Sequence, residues 1–435
     1  MVDYLFHVSP VFKILSVFGL ILIANRFKLP LGIALVTGGI FIDLWAGKGA
    51  GSIGIDLGSA LLQPELWLLV LNITLILEFG HFMAYAPNSR AILAASRRLG
   101  GRHGRALSLV LIPASIGLVP MPGGALFSAP LVGESLREKD RPAAWKVAVN
   151  YWFRHIFEYW WPLYPVVIVT FSIFILKTWQ YFCLQIPFTF VSLLAGWFFI
   201  LRRHVPFLAD NMQPEPESHE DLTRVLLPLG IVVLFTLLLP GSVRTIIPGA
   251  SPTTAKLLAM LAGLAISLLL IARLTQKDDN FRLFSSLLSQ KTANVVFTLG
   301  GVMIFQAMLD ASNLLPEAGR QLEDSLVPIE FVVGFLPFLA GLVTGIAIGF
   351  AGPAFPLVVG LVSIDAHLSQ ASALVLAFSM GYAGMMLSPV HLCYLLTRRY
   401  FGSDLLSTYV YLIPCTLAVA GWGIVMHLTL RLLGW

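Results

Sequence analysis

Long stretches of mostly apolar residues recur along the whole chain and limit the folds open to it. A helix that crosses a bilayer needs roughly 20 such residues, because its backbone polar groups must be satisfied within the helix. Ten stretches meet this requirement: 10–25, 28–46, 65–84, 145–176, 183–201, 223–240, 254–273, 291–310, 371–396 and 406–432. Only 12% of the residues are charged, against about 25% in soluble domains. The sequence therefore predicts an all-α polytopic membrane protein and excludes a soluble enzyme, a nucleic-acid-binding module and a disordered chain.

Two further apolar stretches, 105–134 and 329–364, are interrupted near their middle by glycine and proline. The first carries Pro-Met-Pro-Gly-Gly at 120–124, and the second carries Gly-Phe-Ala-Gly-Pro at 349–353. Each stretch is too long for one span and too broken for two, so we expect re-entrant helical hairpins. Such backbone is tolerated at membrane depth only when it is buried in protein or lines an aqueous cavity.

The basic residues predict the orientation of these segments in the membrane. Most of the 28 Lys and Arg residues fall in loops on one predicted side, including 90–105 and 137–146 around the first hairpin. Loops rich in Lys and Arg stay in the cytoplasm. We therefore expect a multi-pass protein of the cytoplasmic (inner) membrane with both termini outside. The first hairpin would open from the cytoplasm, and the second, flanked by acidic residues, would open from outside.

The two halves of the chain share three sequence features in the same order. Each half has a P-x-x-x-G-L-V motif, a Pro-Leu-Val motif and a long span broken by proline. These lie at 113–119, 130–132 and Pro162 in the first half, and at 337–343, 356–358 and Pro389 in the second. The matching order predicts two repeats, and the opposite orientation of their hairpins makes those repeats inverted. Inverted repeats with discontinuous helices that meet at the membrane midplane are typical of secondary transporters.

The predicted domain organisation follows from this repeat. The first repeat covers 1–201, with its hairpin at 105–134 and its broken helix at 145–176. The second covers 223–435, with its hairpin at 329–364 and its broken helix at 371–396. A polar, proline-containing segment at 202–222 would join the repeats in the cytoplasm.

The paired hairpins with Gly/Pro tips, each followed by a broken span, resemble the ion transporter superfamily of secondary carriers. That group includes gluconate and citrate permeases, dicarboxylate–sodium symporters, arsenite pumps and sodium–proton antiporters. Within it, the two hairpin tips are similar to an integral-membrane family of unknown function. The Ser-Asn-Thr tips of the dicarboxylate branch are absent here. The resemblance implies an elevator-type carrier that forms a homodimer.

The densest intramembrane cluster of polar residues lies in the fourth span. Asn150, Arg154 and Glu158 are spaced i, i+4, i+8, which predicts that they share one helix face. An ionisable residue at this depth indicates a functional site, because burying it is costly. In one interpretation Arg154 binds a carboxylate of the substrate, a geometry that its guanidinium suits. In the other, Arg154 and Glu158 form a structural ion pair.

The sequence indicates further candidate residues at the hairpin tips and breaks. Glycines at a hairpin tip let the backbone N–H groups of a helix end approach an anion closely. The predicted substrate-binding residues are Arg154, Gly123, Gly124, Gly349, Gly352, Ser388 and Asn150. The predicted carriers of a coupling ion or proton are Glu158, Glu78 and His155. Close helix packing, interhelical pairing and helix capping are the alternative roles of these residues.

The sequence thus predicts a secondary active transporter and no enzyme. It would move a small organic anion, such as a carboxylate, coupled to sodium or protons, with no cofactor beyond a coupling ion and no nucleic-acid partner. A cation–proton antiporter of the same fold is the alternative, and a channel would need a continuous pore. A membrane metal-binding protein is a remote alternative resting on Glu78-x-x-His81 and His155-x-x-Glu158. No metal site is expected, because a lone Glu-x-x-His is a weak signal and no His-Glu-x-x-His motif is present. Cys183, Cys393 and Cys415 form no CxxC and no metal-ligand spacing, so no disulfide framework is indicated either.

Overall fold

The computed structural model describes 8–88, 90–92, 94–95, 105–118, 124–135, 141–202, 222–276, 281–285, 287, 289–325, 327–363 and 368–435. All regular secondary structure in these residues is helical, which confirms the all-α fold class. Six helices in this part of the chain are long and apolar enough to cross a membrane: Pro64–Ala84, Thr178–Leu201, Thr223–Ile246, Pro252–Thr275, Thr292–Ala311 and Tyr409–Leu432. Each of them falls on a predicted span.

The α-helices are numbered along the chain. In the first half they are α1 (Pro10–Arg26), α2 (Leu31–Trp45), α3 (Ala50–Leu62), α4 (Pro64–Ala84), α5 (Arg105–Gly117), α6 (Ala125–Ser135), α7 (Ala143–Arg154), α8 (Pro165–Ile173) and α9 (Thr178–Ala195). A π-helical segment, Gly196–Leu201, continues α9. In the second half they are α10 (Thr223–Ile246), α11 (Pro252–Thr275), α12 (Gln290–Ala311), α13 (Leu314–Glu323), α14 (Ile329–Thr344), α15 (Ala347–Val362), α16 (Gln370–Met386), α17 (Leu392–Phe401) and α18 (Tyr409–Leu432).

Two of the predicted spans are each built from two helices. The predicted span 145–176 contains α7 and α8, with a break between Arg154 and Pro165. The predicted span 371–396 contains α16 and α17, with a break between Met386 and Leu392. Proline has no backbone N–H and disfavours helical backbone at the residue before it, so Pro389 accounts for the end of α16. In the first break Pro162 lies eight residues after the end of α7, and Pro165 is the first residue of α8. Helix α3 is an element that the sequence analysis did not predict, because its glycines and short length hide its apolar character.

The hairpin helices pack against the broken helices. The pair α5 and α6 lies against α7, and α6 also contacts α17. The pair α14 and α15 lies against α16, and α15 also contacts α8. Helices α1 to α4 pack mainly with α10 to α13, for example α2 against α12 and α4 against α11. Each hairpin therefore touches the first half of its own broken helix and the second half of the other one.

Candidate functional site

The two helix breaks lie side by side and bond to each other. The hydroxyl of Tyr151, on α7, donates to the carbonyl oxygen of Met386, the last residue of α16, at 3.2 Å. The hydroxyl of Tyr382, on α16, donates to the carbonyl oxygen of His155, which follows α7, also at 3.2 Å. Carbonyls at a helix end have no partner within the helix. Each broken helix thus supplies a tyrosine that satisfies the end of the other.

Each hairpin accepts a hydrogen bond from the helix break that follows it, and the accepting residue has the same motif position in both hairpins. The indole Nε1 of Trp161 donates to the carbonyl oxygen of Leu118 at 2.9 Å. The hydroxyl of Ser388 donates to the carbonyl oxygen of Leu342 at 2.7 Å. Both acceptors are the leucine of a P-x-x-x-G-L-V motif, and both donors directly precede the break proline.

Each hairpin also has a glycine packed closely against a backbone carbonyl of the broken helix that follows it. A Cβ atom on Gly117 would overlap the carbonyl oxygen of Arg154, and a Cβ atom on Gly341 would overlap that of Gly381. Gly117 and Gly341 are the motif glycines, and Arg154 and Gly381 each lie eight residues before the break proline. Backbones can approach this closely only where the side chain is a hydrogen atom. The two contact sets place Arg154 and Gly381 in equivalent positions, so the guanidinium has no counterpart in the second half.

Arg154 is the last residue of α7, and its guanidinium lies against the N-terminal end of α6. A Cβ atom on Gly124, which directly precedes α6, would lie 2.7 Å from Nη1 and 2.8 Å from Cζ of Arg154. Arg154 is only 4% exposed. The N-terminus of a helix carries partial positive charge and unsatisfied N–H groups. The structure therefore places two positive groups together in a buried setting, and such an arrangement attracts an anion.

Glu158 does not lie on the predicted helix face, and that part of the prediction is wrong. Helix α7 ends at Arg154, so the i+8 position falls in the break. The break is made of turns between 155 and 160, which turn Glu158 back toward the start of the break. Its Oε1 lies 3.9 Å from Nε2 of His155, and it is 9% exposed. Glu158 is thus still part of the buried cluster, but the turns after α7 position it there, not a shared helix face.

The structure also brings His391 and Cys393 to this cluster, and the sequence did not predict either as a ligand. One ligand atom each from His155, His391 and Cys393 lie within 4.8 Å of one another, and all three residues are buried. The rings of His155 and His391 are perpendicular, with centroids 4.9 Å apart. The sequence signal that could have indicated this cluster is the pair His391 and Cys393, which are separated by one residue and follow Pro389.

Three other predicted substrate residues, Asn150, Gly352 and Gly349, sit at helix contacts. The side-chain amide of Asn150 donates to Oγ1 of Thr397 at 2.9 Å and so links α7 to α17. A Cβ atom on Gly352 would lie 2.8 Å from Cγ2 of Val302 on α12, which is a packing contact. Gly349 packs against the Thr344 side chain.

The tip of the second hairpin is Gly345, which sequence analysis missed. It has a positive φ of 64°, and a Cβ atom on it would lie 2.9 Å from the backbone nitrogen of His391 and from Oγ of Ser388. Of the two predicted glycines in the first tip, Gly124 meets Arg154 as described, and Gly123 lies outside the described residues.

Glu78 is buried in α4 and contacts Phe284 and His81. Its Oε1 accepts a hydrogen bond from the backbone N–H of Phe284 at 2.7 Å and lies 3.4 Å from Nδ1 of His81. Glu78 and His81 therefore contact each other on one helix, and Glu78 also bonds the backbone at Phe284.

A polar cavity of about 170 Å³ lies elsewhere in the molecule. Its lining is Gln63, Glu65, Ser172, Ser251, Thr253, Met303, Gln306, Ala307 and Asp310. None of these residues belongs to the buried cluster, so the cavity and the cluster are separate features.

Comparison with known proteins adds a family and a fold. A family model described as "Protein of unknown function (DUF401)" matches residues 11–429. No curated protein matches the sequence. The structure is similar to the crystal structure of the Alcanivorax borkumensis YdaH transporter, whose topology is described as unusual. The TM-score is 0.54 and the identity 13%, over 87% of each chain. At this identity the likeness establishes the fold, and with the apolar helices it indicates a multi-pass membrane protein.

Proposed function

We propose that this chain, which belongs to the DUF401 family, is a secondary active transporter of a small organic anion in the cytoplasmic membrane. Its fold is similar to that of a protein described as a transporter. The fold combines helices long enough to cross a membrane with two broken helices and two helical hairpins. Discontinuous helices that meet inside a membrane protein are a common way to build a solute site.

The observation that carries the proposal is the position of Arg154. A buried guanidinium against a helix N-terminus brings two positive groups together without the high dielectric of water to screen them. A carboxylate bound between Arg154 and the first N–H groups of α6 would be attracted by both. A guanidinium also offers two parallel N–H donors to one carboxylate, which favours planar anions over halide ions.

Alternating access by two inverted repeats is part of the proposal. The paired contacts of Leu118 and Leu342, and of Gly117 and Gly341, support a common ancestry for the two hairpin units. In an elevator mechanism the hairpins and broken helices would move together against the helices α1 to α4 and α10 to α13. We propose a homodimer with both termini outside as the assembly that would hold those scaffold helices still.

Sodium or protons would drive the transport. Glu158 and His155 lie beside Arg154 in the break and are the candidates closest to the proposed anion site. Glu78 is the third candidate and lies on α4, where it contacts His81 and the backbone of Phe284. A cation–proton antiporter is the second candidate function. It is favoured by one observation: Oε2 of Glu158 is buried and has no hydrogen-bond partner among the described residues.

The proposal is tested by the thermal stability of the purified protein in a panel of mono-, di- and tricarboxylates. A ligand that binds the folded state raises the apparent stability by mass action. We expect one class of carboxylate to raise the melting temperature of the wild-type protein, with a larger rise in sodium or at lower pH. A rise with sodium or pH alone, with no carboxylate effective, would favour the antiporter.

The matched variants are Arg154→Lys and Arg244→Lys. Arg244 is exposed near the end of α10, so its replacement leaves the cluster unchanged. Lysine keeps the charge at position 154 but loses the bidentate geometry. We expect Arg154→Lys to weaken carboxylate binding by about 10-fold or more, since a charge-assisted hydrogen bond contributes about 1.5–3 kcal/mol. Equal binding by both variants would contradict the role of Arg154.

A further inference from the structure

The buried cluster contains a set of side chains whose chemistry goes beyond binding an anion. We propose that His155, His391 and Cys393 form a site for a thiophilic metal ion, with Zn²⁺ as the representative ion. While this ion is bound, His155 would serve as a ligand and would not carry a coupling ion or proton. Imidazole nitrogen and thiolate sulfur are the ligands that zinc and copper(I) prefer, whereas magnesium and calcium prefer oxygen.

The separations between the ligand atoms are close to those that a zinc site needs. With Zn–N near 2.0–2.1 Å and Zn–S near 2.3 Å, neighbouring ligand atoms in a tetrahedral site lie roughly 3.3–3.6 Å apart. The three ligand atoms here lie within 4.8 Å of one another. The ligand atoms would therefore have to draw together by about 1 Å around a bound ion.

The orientation of His155 is already that of a metal ligand. Its Nδ1 lies 2.6 Å from the carbonyl oxygen of Tyr151. A carbonyl can only accept, so Nδ1 carries the proton and Nε2 keeps its lone pair for a ligand. A hydrogen bond from one ring nitrogen to a backbone carbonyl is the usual support of metal-binding histidines.

Two polar atoms in the cluster have no partner among the described residues. Nδ1 of His391 and Oε2 of Glu158 are both buried and make no hydrogen bond there. His391 is 6% exposed and Glu158 is 9% exposed. Leaving a buried polar atom unsatisfied is costly, so their presence indicates a ligand. Oε1 of Glu158, at 3.9 Å from Nε2 of His155, is near the spacing of a fourth ligand.

The charges of this set match a divalent ion. Metal binding would release the proton of the Cys393 thiol to solvent, and the thiolate and the Glu158 carboxylate would together balance the charge of Zn²⁺. Cys393 lies in the first turn of α17, where the positive end of the helix stabilises the thiolate. The bound ion would join the break after α7 to the start of α17 and hold the two broken helices together.

The test uses the purified full-length protein and Co²⁺ as a spectroscopic probe for zinc. Cobalt takes tetrahedral sites of the same ligands, and a thiolate-to-cobalt charge-transfer band appears only when sulfur is bound to the metal. We expect wild-type protein to bind one Co²⁺ per chain with this band, and Zn²⁺ to displace it. Binding of Co²⁺ to the metal-free protein should release about one proton, measured in weakly buffered solution, and the exchange of Co²⁺ for Zn²⁺ should release none.

The matched variants are Cys393→Ser and Cys415→Ser. Cys415 is also buried, but it lies on α18 and its thiol donates to the carbonyl of Ala195 at 3.5 Å. We expect Cys393→Ser to lose the band and to bind Zn²⁺ at least about 10-fold more weakly, and Cys415→Ser to match the wild type. If Cys393→Ser proves unfolded, His391→Gln is measured instead, with the same expected loss of affinity. Absence of the band in folded wild-type protein, or its retention in Cys393→Ser, would overturn the site.

Discussion

Replacing Gly124 by alanine is expected to displace the guanidinium that forms the proposed anion site. The added Cβ atom would lie 2.7 Å from Nη1 and 2.8 Å from Cζ of Arg154, whereas ordinary van der Waals contacts begin near 3.4 Å. The guanidinium must therefore retreat by about 1 Å. It is the far end of a flexible side chain, so the fold is expected to tolerate the change while the anion site loses its geometry.

The size of the effect follows from the bonds that are lost. A hydrogen bond to a charged group contributes about 1.5–3 kcal/mol, and each 1.4 kcal/mol is a tenfold change in affinity. We therefore expect carboxylate affinity to fall by about 10- to 100-fold. The assay is carboxylate-dependent thermal stabilisation of the purified protein, using the carboxylate that stabilises the wild-type protein most, followed by uptake into proteoliposomes.

The control lies on the same helix. A Cβ atom on Gly133, also in α6, would come no closer than 3.6 Å to its neighbours, so Gly133→Ala is expected to bind carboxylates as the wild type does. Wild-type affinity in Gly124→Ala, with a normal melting temperature, would refute the assignment of the anion site to Arg154 and the end of α6.

Three further outcomes are expected. Gly117→Ala places a methyl group against a backbone carbonyl of α7 and should lower the melting temperature steeply, whereas Gly230→Ala, with open space around it, should not. Tyr382→Phe leaves the buried carbonyl of His155 without its hydroxyl donor and should cost about 1–3 kcal/mol in denaturant unfolding; an unchanged midpoint would count against the bond. A cysteine at Arg90, which is exposed, should react with impermeant thiol reagents only from the cytoplasm, and labelling from outside would contradict the predicted orientation.

The positions of the helices and of their breaks could be read from the sequence. An apolar run commits the backbone to a helix through local hydrogen bonds, and a proline such as Pro389 ends the helix through its own geometry. Both effects act within a few residues. For the same reason a short glycine-containing helix such as α3, whose apolar run is only 13 residues long, was missed.

Arg154 could be identified as a candidate because any buried guanidinium in an apolar run is unusual. The residues that surround Arg154 could not be identified from the sequence. The contact with Gly124 depends on how the first hairpin packs against α7, and the end of α7 at Arg154 removed Glu158 from the expected helix face. The shared P-x-x-x-G-L-V motif gives Leu118 and Leu342 the same motif position, but their bonds to the helix breaks are tertiary contacts.

The cluster of His155, His391 and Cys393 shows most clearly what the sequence alone does not predict. Its members come from opposite halves of the chain, and no spacing along the sequence connects them. Apolar periodicity and proline act over single helices, so the sequence alone establishes an all-helical membrane protein with two broken helices and an arginine at one break. The meeting of the breaks results from helix packing over the whole molecule, because close approach depends on which glycine faces which carbonyl.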